Sequence, residues 1–273
     1  MECKICNSPT EIFLNSYIFE KSFLINYYKC TKCHFVQTQE PTWLNRAYSD
    51  AIAPLDIGLI GRNRFFSDLT ERLLLTFFDD SKTFVDFGAG YGVFVRMMRD
   101  KGFDFKWHDA HCENMFAKHF EEHDLSKKHD VITAFEVLEH LPNPVSQLAH
   151  LLENSKVFIF STDISYRKQP NFNDWWYRAP HSGQHVSFYT AESLDFLAKK
   201  YNKYFYTNGS DFHFISSIKL DDVLVKEFFF PKKRTLKDKI VGRLFGNNIK
   251  SLQYKESLLA KDHTYLTSLL HNY

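Results

Sequence analysis

Apolar residues recur along the chain with two periods, and the places where the period changes divide it. From Ile12 to Cys30, aromatic and aliphatic residues alternate with polar ones, the pattern of short half-buried strands. Pro41 and the polar residues to Asp50 read as a link, after which Phe65, Leu69, Leu73 and Phe77 recur every four residues and predict one face of a helix. Thr83–Phe87 (TFVDF) then predicts a strand, GAGYG a tight turn, Val93–Gly102 a helix closed by its glycine, and Phe103–Asp109 a second strand. Strand, turn, helix and strand make a right-handed crossover.

DVITAF (Asp130–Phe135) and KVFIFST (Lys156–Thr162) have the continuous apolar character of buried parallel strands, with an amphipathic helix from Val145 to Asn154 between them. Beyond Pro180, Thr190 is a helix cap for AESLDFLAKKY, with Glu192 in its first turn and Lys199 and Lys200 in its last. The stretch after it predicts a hairpin turning at Asn208-Gly209. The fold class expected is therefore α/β, a Rossmann-like doubly wound sheet preceded by a small ribbon module of strands. The expected division is residues 1–40 as ribbon, 41–80 as helical link or lid, 81–220 as the sheet domain and 221–273 as a C-terminal helical extension.

Composition narrows the function classes. The 273 residues carry 34 Lys and Arg against 33 Asp and Glu, a net charge of +1, which disfavours a charge-driven nucleic-acid binder. Seven basic and two acidic residues between Lys226 and Arg243 form a local positive stretch, read first as a solvated helix face and second as a contact to a membrane surface or polyanion. With no apolar run near the length of a membrane span and no leader-like start, a cytoplasmic protein is expected.

Five cysteines in a reducing compartment call for a metal rather than a disulfide reading. Cys3 and Cys6 form one Cys-x-x-Cys, and Cys30 and Cys33 form another. Two such turns supply four soft thiolates to a tetrahedral zinc ion at a closed structural site, in place of a core that about 40 residues cannot build. The alternative is a redox pair or unrelated buried cysteines. Cys112 has no partner in this pattern, and His34 reads as an exposed neighbour of Cys33.

The turn Gly88-Ala89-Gly90-Tyr91-Gly92 ends a strand and opens a helix, so the backbone turns tightly there and a ligand approaches it closely. A dinucleotide fingerprint has its third glycine one residue later, and Asp86 would lie near a pyrophosphate and repel it. S-Adenosylmethionine brings a sulfonium and an ammonium and no phosphate, so Asp86 attracts it. Asp109, at the end of the next strand, is placed to accept from ribose hydroxyls, and Phe135 to wall the adenine.

Asp86-x-Gly88-x-Gly90-x-Gly92, the ribose acid Asp109 and FEVLEHLPNP together resemble the class I S-adenosylmethionine-dependent methyltransferases over about residues 80–165. The continuation WWYRAPHSGQHVSFYT looks like a bacterial subgroup with an amino-terminal zinc ribbon, whose members include methyltransferases of sugars. The resemblance implies a small-molecule acceptor, a sugar or nucleotide sugar. The chain ends earlier than the sugar C-methyltransferases of that subgroup, which favours oxygen over carbon as the acceptor atom.

Methyl transfer to a hydroxyl needs collinear placement and removal of a proton, so the reacting groups must lie beside the donor. Glu136, Glu139 and His140 follow the strand that abuts it, and a helical turn would put all three on one face. His185 joins them if the chain returns over the carboxyl end of the sheet. The pattern resembles the Glu-x-x-Glu-His and distant His of small-RNA 2′-O-methyltransferases and ubiquinone-pathway O-methyltransferases, where it holds a divalent metal. A second metal, metal-free acid and base chemistry, and simple bracing of the loop all remain open. Trp175, Trp176 and Tyr177 are three adjacent rings on a loop, either a stacking surface for a sugar or packing against the ribbon. Tyr48, Arg62 and Asn63 are placed on a lid. Two other functions compete: a metal-assisted RNA 2′-O-methyltransferase using the basic stretch, and a non-enzymatic interaction module built on the ribbon.

Overall fold

The computed structural model describes residues 1–19, 21–47, 57–231 and 254–270. Tyr48 of the expected lid and the basic stretch from residue 232 to Arg243 lie outside the described residues.

The amino-terminal strands β1 (Thr10–Ile18) and β2 (Phe23–Cys30) form an antiparallel pair with one irregularity between Ile12 and Leu14, and β3 (Val36–Thr38) adds to β2. A short helix α1 (Leu44–Ala47) precedes the long helix α2 (Leu59–Phe77). Then come β4 (Phe84–Phe87), α3 (Val93–Asp100), β5 (Phe105–His108), β6 (His129–Ala134), α4 (Pro144–Asn154) and β7 (Ser155–Ser161). The chain ends with β8 (Ser187–Phe188), α5 (Ala191–Lys200), β9 (Tyr204–Thr207), β10 (Phe212–Ser216), α6 (Asp222–Phe229) and α7 (Leu259–Leu270).

Six strands make the main sheet in the order β5-β4-β6-β7-β10-β9. β5, β4, β6 and β7 run parallel, and β10 is antiparallel to both of its neighbours. Both faces are covered, which explains the unbroken apolar runs of the inner strands. On β7, Val157 and Ile159 pack into the layer with α2, α3 and α6, whereas Phe158 and Phe160 pack into the layer with α4 and α5. The sheet is therefore wound on two sides, as the alternating elements predict.

The ribbon is bound into this layer structure. Cys3, Ile5, Cys30, Cys33 and Phe35 share a core with Leu148, Leu151 and Leu194 of the helices. β3 pairs with β8, matching Val36 to Phe188 and Gln37 to Ser187, so the ribbon's sheet is finished by a strand about 150 residues downstream. At the other end, α7 docks on α3 through Asp262, which accepts from Arg99 at 2.7 and 2.8 Å in a buried ion pair joined by Arg96.

Two local expectations gain detail. The buried face of α2 is Phe66, Thr70, Leu73 and Leu74, with Leu69 and Phe77 of the anticipated stripe packed at its margin and Phe65 50% exposed. The hairpin β9–β10 turns through four residues, with the Asn208 side chain accepting from the backbone N–H groups of Ser210, Asp211 and Phe212.

Candidate active site

The carboxyl ends of β4, β5, β6 and β7 converge on one edge, the edge at which open α/β sheets bind ligands. At the tip of β4, Asp86 is buried and accepts a 2.6 Å hydrogen bond from Thr133 of β6. Burial pushes its carboxyl up to about 7; the Thr133 hydroxyl opposes this and nearby Asp109 adds to it. A cation at this tip would reverse that effect.

Gly88 and Gly90 both hold left-handed backbone, with φ of 69° and 53°. A Cβ on Gly88 would come within 2.6 Å of Val137, while one on Gly90 would meet nothing within 4 Å. The first glycine is thus dictated by packing and the second leaves open space against the backbone. Gly92, also left-handed, caps α3. Asp109 closes the turn from the neighbouring strand. Its carboxylate accepts from the backbone of Gly90 at 2.9 Å, His111 at 2.7 Å and Cys112 at 2.9 Å. It therefore holds the glycine turn in place, and a ribose would add to three existing bonds. Phe135, just past β6, stacks on Phe66 at 4.5 Å and lies 4.9 Å from Phe94.

Beyond Phe135 the backbone bends sharply. Glu136 takes a left-handed φ of 57°, followed by a 3-10 turn at Leu138–His140. The regular helical turn that would align Glu136 with Glu139 and His140 is absent, and the two glutamates part company. Glu136 faces outward to Arg62, 3.3 Å away, and is gripped by Ser161 of β7, whose hydroxyl donates to its carboxylate and accepts from its N–H, each at 2.7 Å. Glu139 is 0% exposed, and neither carboxylate oxygen has a hydrogen-bond partner of normal geometry among the described residues, although the Tyr177 hydroxyl is near enough to favour the charged form. Burial, reinforced by Glu136, raises its pKa well above the usual carboxyl range.

The return segment brings His185 to this point. Val186 donates to the Glu139 carbonyl at 2.8 Å, Ser187 to the Leu141 carbonyl and Tyr189 to the Leu138 carbonyl, stitching residues 186–189 along the 3-10 turn. The His140 and His185 rings meet edge to face at 4.8 Å, and ligating atoms of Glu139, His140 and His185 lie within 4.8 Å of one another. His140 Nδ1 faces the Gln184 carbonyl at 3.3 Å and His185 Nδ1 the Tyr177 carbonyl at 2.5 Å. A carbonyl only accepts, so both Nδ1 atoms carry the proton and Nε2 is the basic nitrogen of each ring. Burial lowers the pKa of both, His140 to about 4, so both imidazoles are neutral. Two neutral imidazoles oriented by carbonyls and a buried, unbonded carboxylate form a donor set that fits a divalent metal.

The three adjacent rings separate. Trp175 is 3% exposed and packs on Tyr166, Phe172 and Phe188 in the core shared with the ribbon. Tyr177 is also buried, against His185 at 4.7 Å. Only Trp176 stays on the surface, 74% exposed. Of the two readings the sequence leaves open, packing against the ribbon holds for Trp175 and Tyr177, and a surface ring remains only at Trp176. Trp176 lines a cavity of about 320 Å³ together with Arg62, Phe66, Glu136, Tyr177, Asp163 and Asp211. Arg62, anticipated on a lid, is a wall of this cavity through its ion pair. Neighbouring Asn63 is tied to its own helix, donating to the Leu59 carbonyl at 2.8 Å.

The four cysteines gather with all sulfurs within 4.8 Å of one another. Cys3 and Cys33 are 3.6 Å apart and Cys6 and Cys30 3.4 Å, too far for disulfides and close enough to share one ion. The contact between the two sulfurs lowers the Cys3 thiol and, together with burial, raises that of Cys33. Cys112 is far from this set in the chain and its thiol is pushed up to about 11 by burial and Asp109.

Residues 60–203, just over half of the chain, match a family model described as a methyltransferase domain. The chain belongs to this family. It is a methyltransferase of the S-adenosylmethionine-dependent type, on a Rossmann-like α/β sheet. The methyltransferase is similar to several solved structures. The magnesium protoporphyrin IX methyltransferase of Synechocystis PCC 6803 with bound SAH is 12% identical, over 64% of this chain and 93% of that one, with a TM-score of 0.41. An O-methyltransferase family protein from Burkholderia thailandensis is 11% identical over 67% and 65%, with a TM-score of 0.48. The plantazolicin methyltransferase BpumL in complex with a monoazolic desmethylPZN analog and SAH is 14% identical over 66% and 94%, with a TM-score of 0.44. No functionally curated protein matches the methyltransferase in sequence. Among its described residues no helix is long and apolar enough to cross a membrane.

Thr133 and Ser161, which fix Asp86 and Glu136, escape a motif reading. Each is a small polar residue near the end of an apolar strand, at the edge where ligands bind, and that exception to the pattern is the signal that marks them.

Proposed function

We propose that this methyltransferase transfers the methyl group of S-adenosylmethionine to a hydroxyl of a sugar or glycan precursor. The observation that carries the reading is the convergence of Glu139, His140 and His185 behind Tyr177, which packs on His185 at 4.7 Å and lines the cavity. Asp86 provides negative charge for the cationic donor, Gly90 leaves its backbone open to it, and Asp109 fixes the turn against which the ribose lies. Phe135 contributes the apolar wall of the adenine side.

Glu139, His140 and His185 would hold a divalent ion, which when bound polarises an acceptor hydroxyl. The carbonyls of Gln184 and Tyr177 orient the two rings so that Nε2 of each is the ligating atom. Glu136, held by Ser161 and Arg62, keeps its carboxylate at the cavity wall, where it can accept the proton released from the acceptor oxygen. Trp176 offers the apolar face on which a sugar ring stacks.

The cavity wall carries Glu136, Asp163 and Asp211 against Arg62, a balance that opposes a polyphosphate backbone and so favours a sugar over RNA. We further read Cys3, Cys6, Cys30 and Cys33 as a structural zinc site that folds residues 1–40, with residues 81–220 as the catalytic unit. Labelled S-adenosylmethionine incubated with a panel of sugars, nucleotide sugars and short RNA tests the assignment. Label in a sugar hydroxyl supports it; label confined to RNA ribose overturns it.

A further inference from the structure

The cavity beside Glu136 carries charge that methyl transfer does not use. Asp163 follows β7 and Asp211 precedes β10, and the pairing of Ser161 with Phe212 sets both at the same end of the sheet. Ile164 donates to the Ser210 carbonyl at 2.9 Å and ties the two loops together. Glu136 is matched by Arg62, so the lining retains two negative charges. Among the described residues no lysine, arginine or histidine forms an ion pair with Asp163 or Asp211. Their hydrogen-bond partners among the described residues are neutral: Asp163 accepts from the Ser165 N–H at 2.7 Å and Asp211 from the Asn208 amide at 2.8 Å. The same cavity exposes the Trp176 indole, whose face attracts cations.

We propose that the cavity takes an acceptor carrying a protonated amine, such as an amino sugar, held by Asp163 and Asp211 against the face of Trp176. This deepens the hydroxyl-methylation reading above and rests on it. A protonated amine has no lone pair for the methyl group, so it anchors the acceptor while a hydroxyl elsewhere on the same molecule reacts. The lining correspondingly rejects phosphorylated acceptors.

Trp176 is the only exposed indole of the four tryptophans, Trp43, Trp107 and Trp175 being buried, so fluorescence quenching reports occupancy of this cavity. The full chain is titrated with glucosamine, glucose, glucose 6-phosphate and 1,5-diaminopentane, as wild type and as the D163N/D211N double variant. The expected result is quenching by glucosamine at concentrations about tenfold below those of glucose, with glucose 6-phosphate weakest and the advantage gone in the variant. Retained S-adenosylmethionine binding certifies the fold of the double variant, and D211N alone serves in its place if it does not fold. Equal binding of glucose and glucosamine, tight binding of glucose 6-phosphate, an advantage that survives the substitutions, or no response to either amine overturns the proposal. Quenching by diaminopentane but not glucosamine, with the same dependence on the aspartates, upholds the amine and removes the sugar.

Discussion

The Thr190 hydroxyl donates to the Cys33 carbonyl at 2.7 Å. Thr190 also caps α5, and Cys33 is one of the four clustered thiols, so one hydrogen bond links the cysteine module to the segment that carries His185. The β3–β8 pairing and the bond from Thr38 to the Val186 carbonyl at 3.0 Å reinforce this link. The cysteine module is thus a brace for the return segment.

Cys30→Ser should therefore act at a distance. We expect loss of zinc, faster hydrogen exchange over residues 183–190, and turnover reduced about tenfold or more, while S-adenosylmethionine affinity changes less than about twofold. Zinc analysis, exchange mass spectrometry and calorimetry on one preparation check this. Unchanged exchange at 183–190 would show that the module does not brace the segment.

Asp86 gives the donor site a pH dependence. Its pKa is raised from 3.8 to about 7, so the unliganded fold keeps this contribution fully below 3.8 and loses it as the pH climbs through about 7. A cationic donor prefers the ionised carboxylate. The dissociation constant for S-adenosylmethionine should rise about tenfold per pH unit below 7 and level off above it. Asp86→Asn should bind weakly with no such slope.

The glycines separate folding from binding. Gly90→Ala places a Cβ in open space at φ 53°, so backbone strain of about 1 to 2 kcal/mol is the whole folding cost, while donor binding is blocked. Gly88→Ala adds a 2.6 Å collision with Val137 to the same strain and should unfold at lower temperature. Thermal melts beside donor titrations distinguish the two; equal melting temperatures would contradict the packing described.

Glu139→Gln removes a buried carboxylate that has no hydrogen-bond partner of normal geometry among the described residues, so stability should hold or increase. Turnover should fall about a hundredfold, and titrated Mn²⁺ should no longer bind tightly. Tight Mn²⁺ binding by the variant would place the ion elsewhere.

Much of the fold was legible because its determinants are local. β4, β6 and β7 are continuous apolar runs, and a turn needing three left-handed residues announces itself as three glycines. The cysteine pairs were legible for the same reason. What escaped is what distant pairing decides. β8 is two residues long and has no period to read, yet its pairing with β3 sets where His185 falls. Trp175 and Trp176 are neighbours with opposite fates, because the 3-10 turn starting at Trp176 aims one ring inward and the next outward. The place of Asp109 after a strand predicts a ribose ligand; its bond to Gly90 N–H depends on β4 and β5 lying side by side.

The acid-tipped glycine turn selects a cationic methyl donor over a phosphorylated nucleotide, and every role assigned above depends on that selection. Calorimetric titration of the full chain with S-adenosylmethionine and, separately, with NAD tests it most directly. One saturable site for S-adenosylmethionine and no heat from NAD is the expected outcome. Saturable NAD binding with none for S-adenosylmethionine would contradict it.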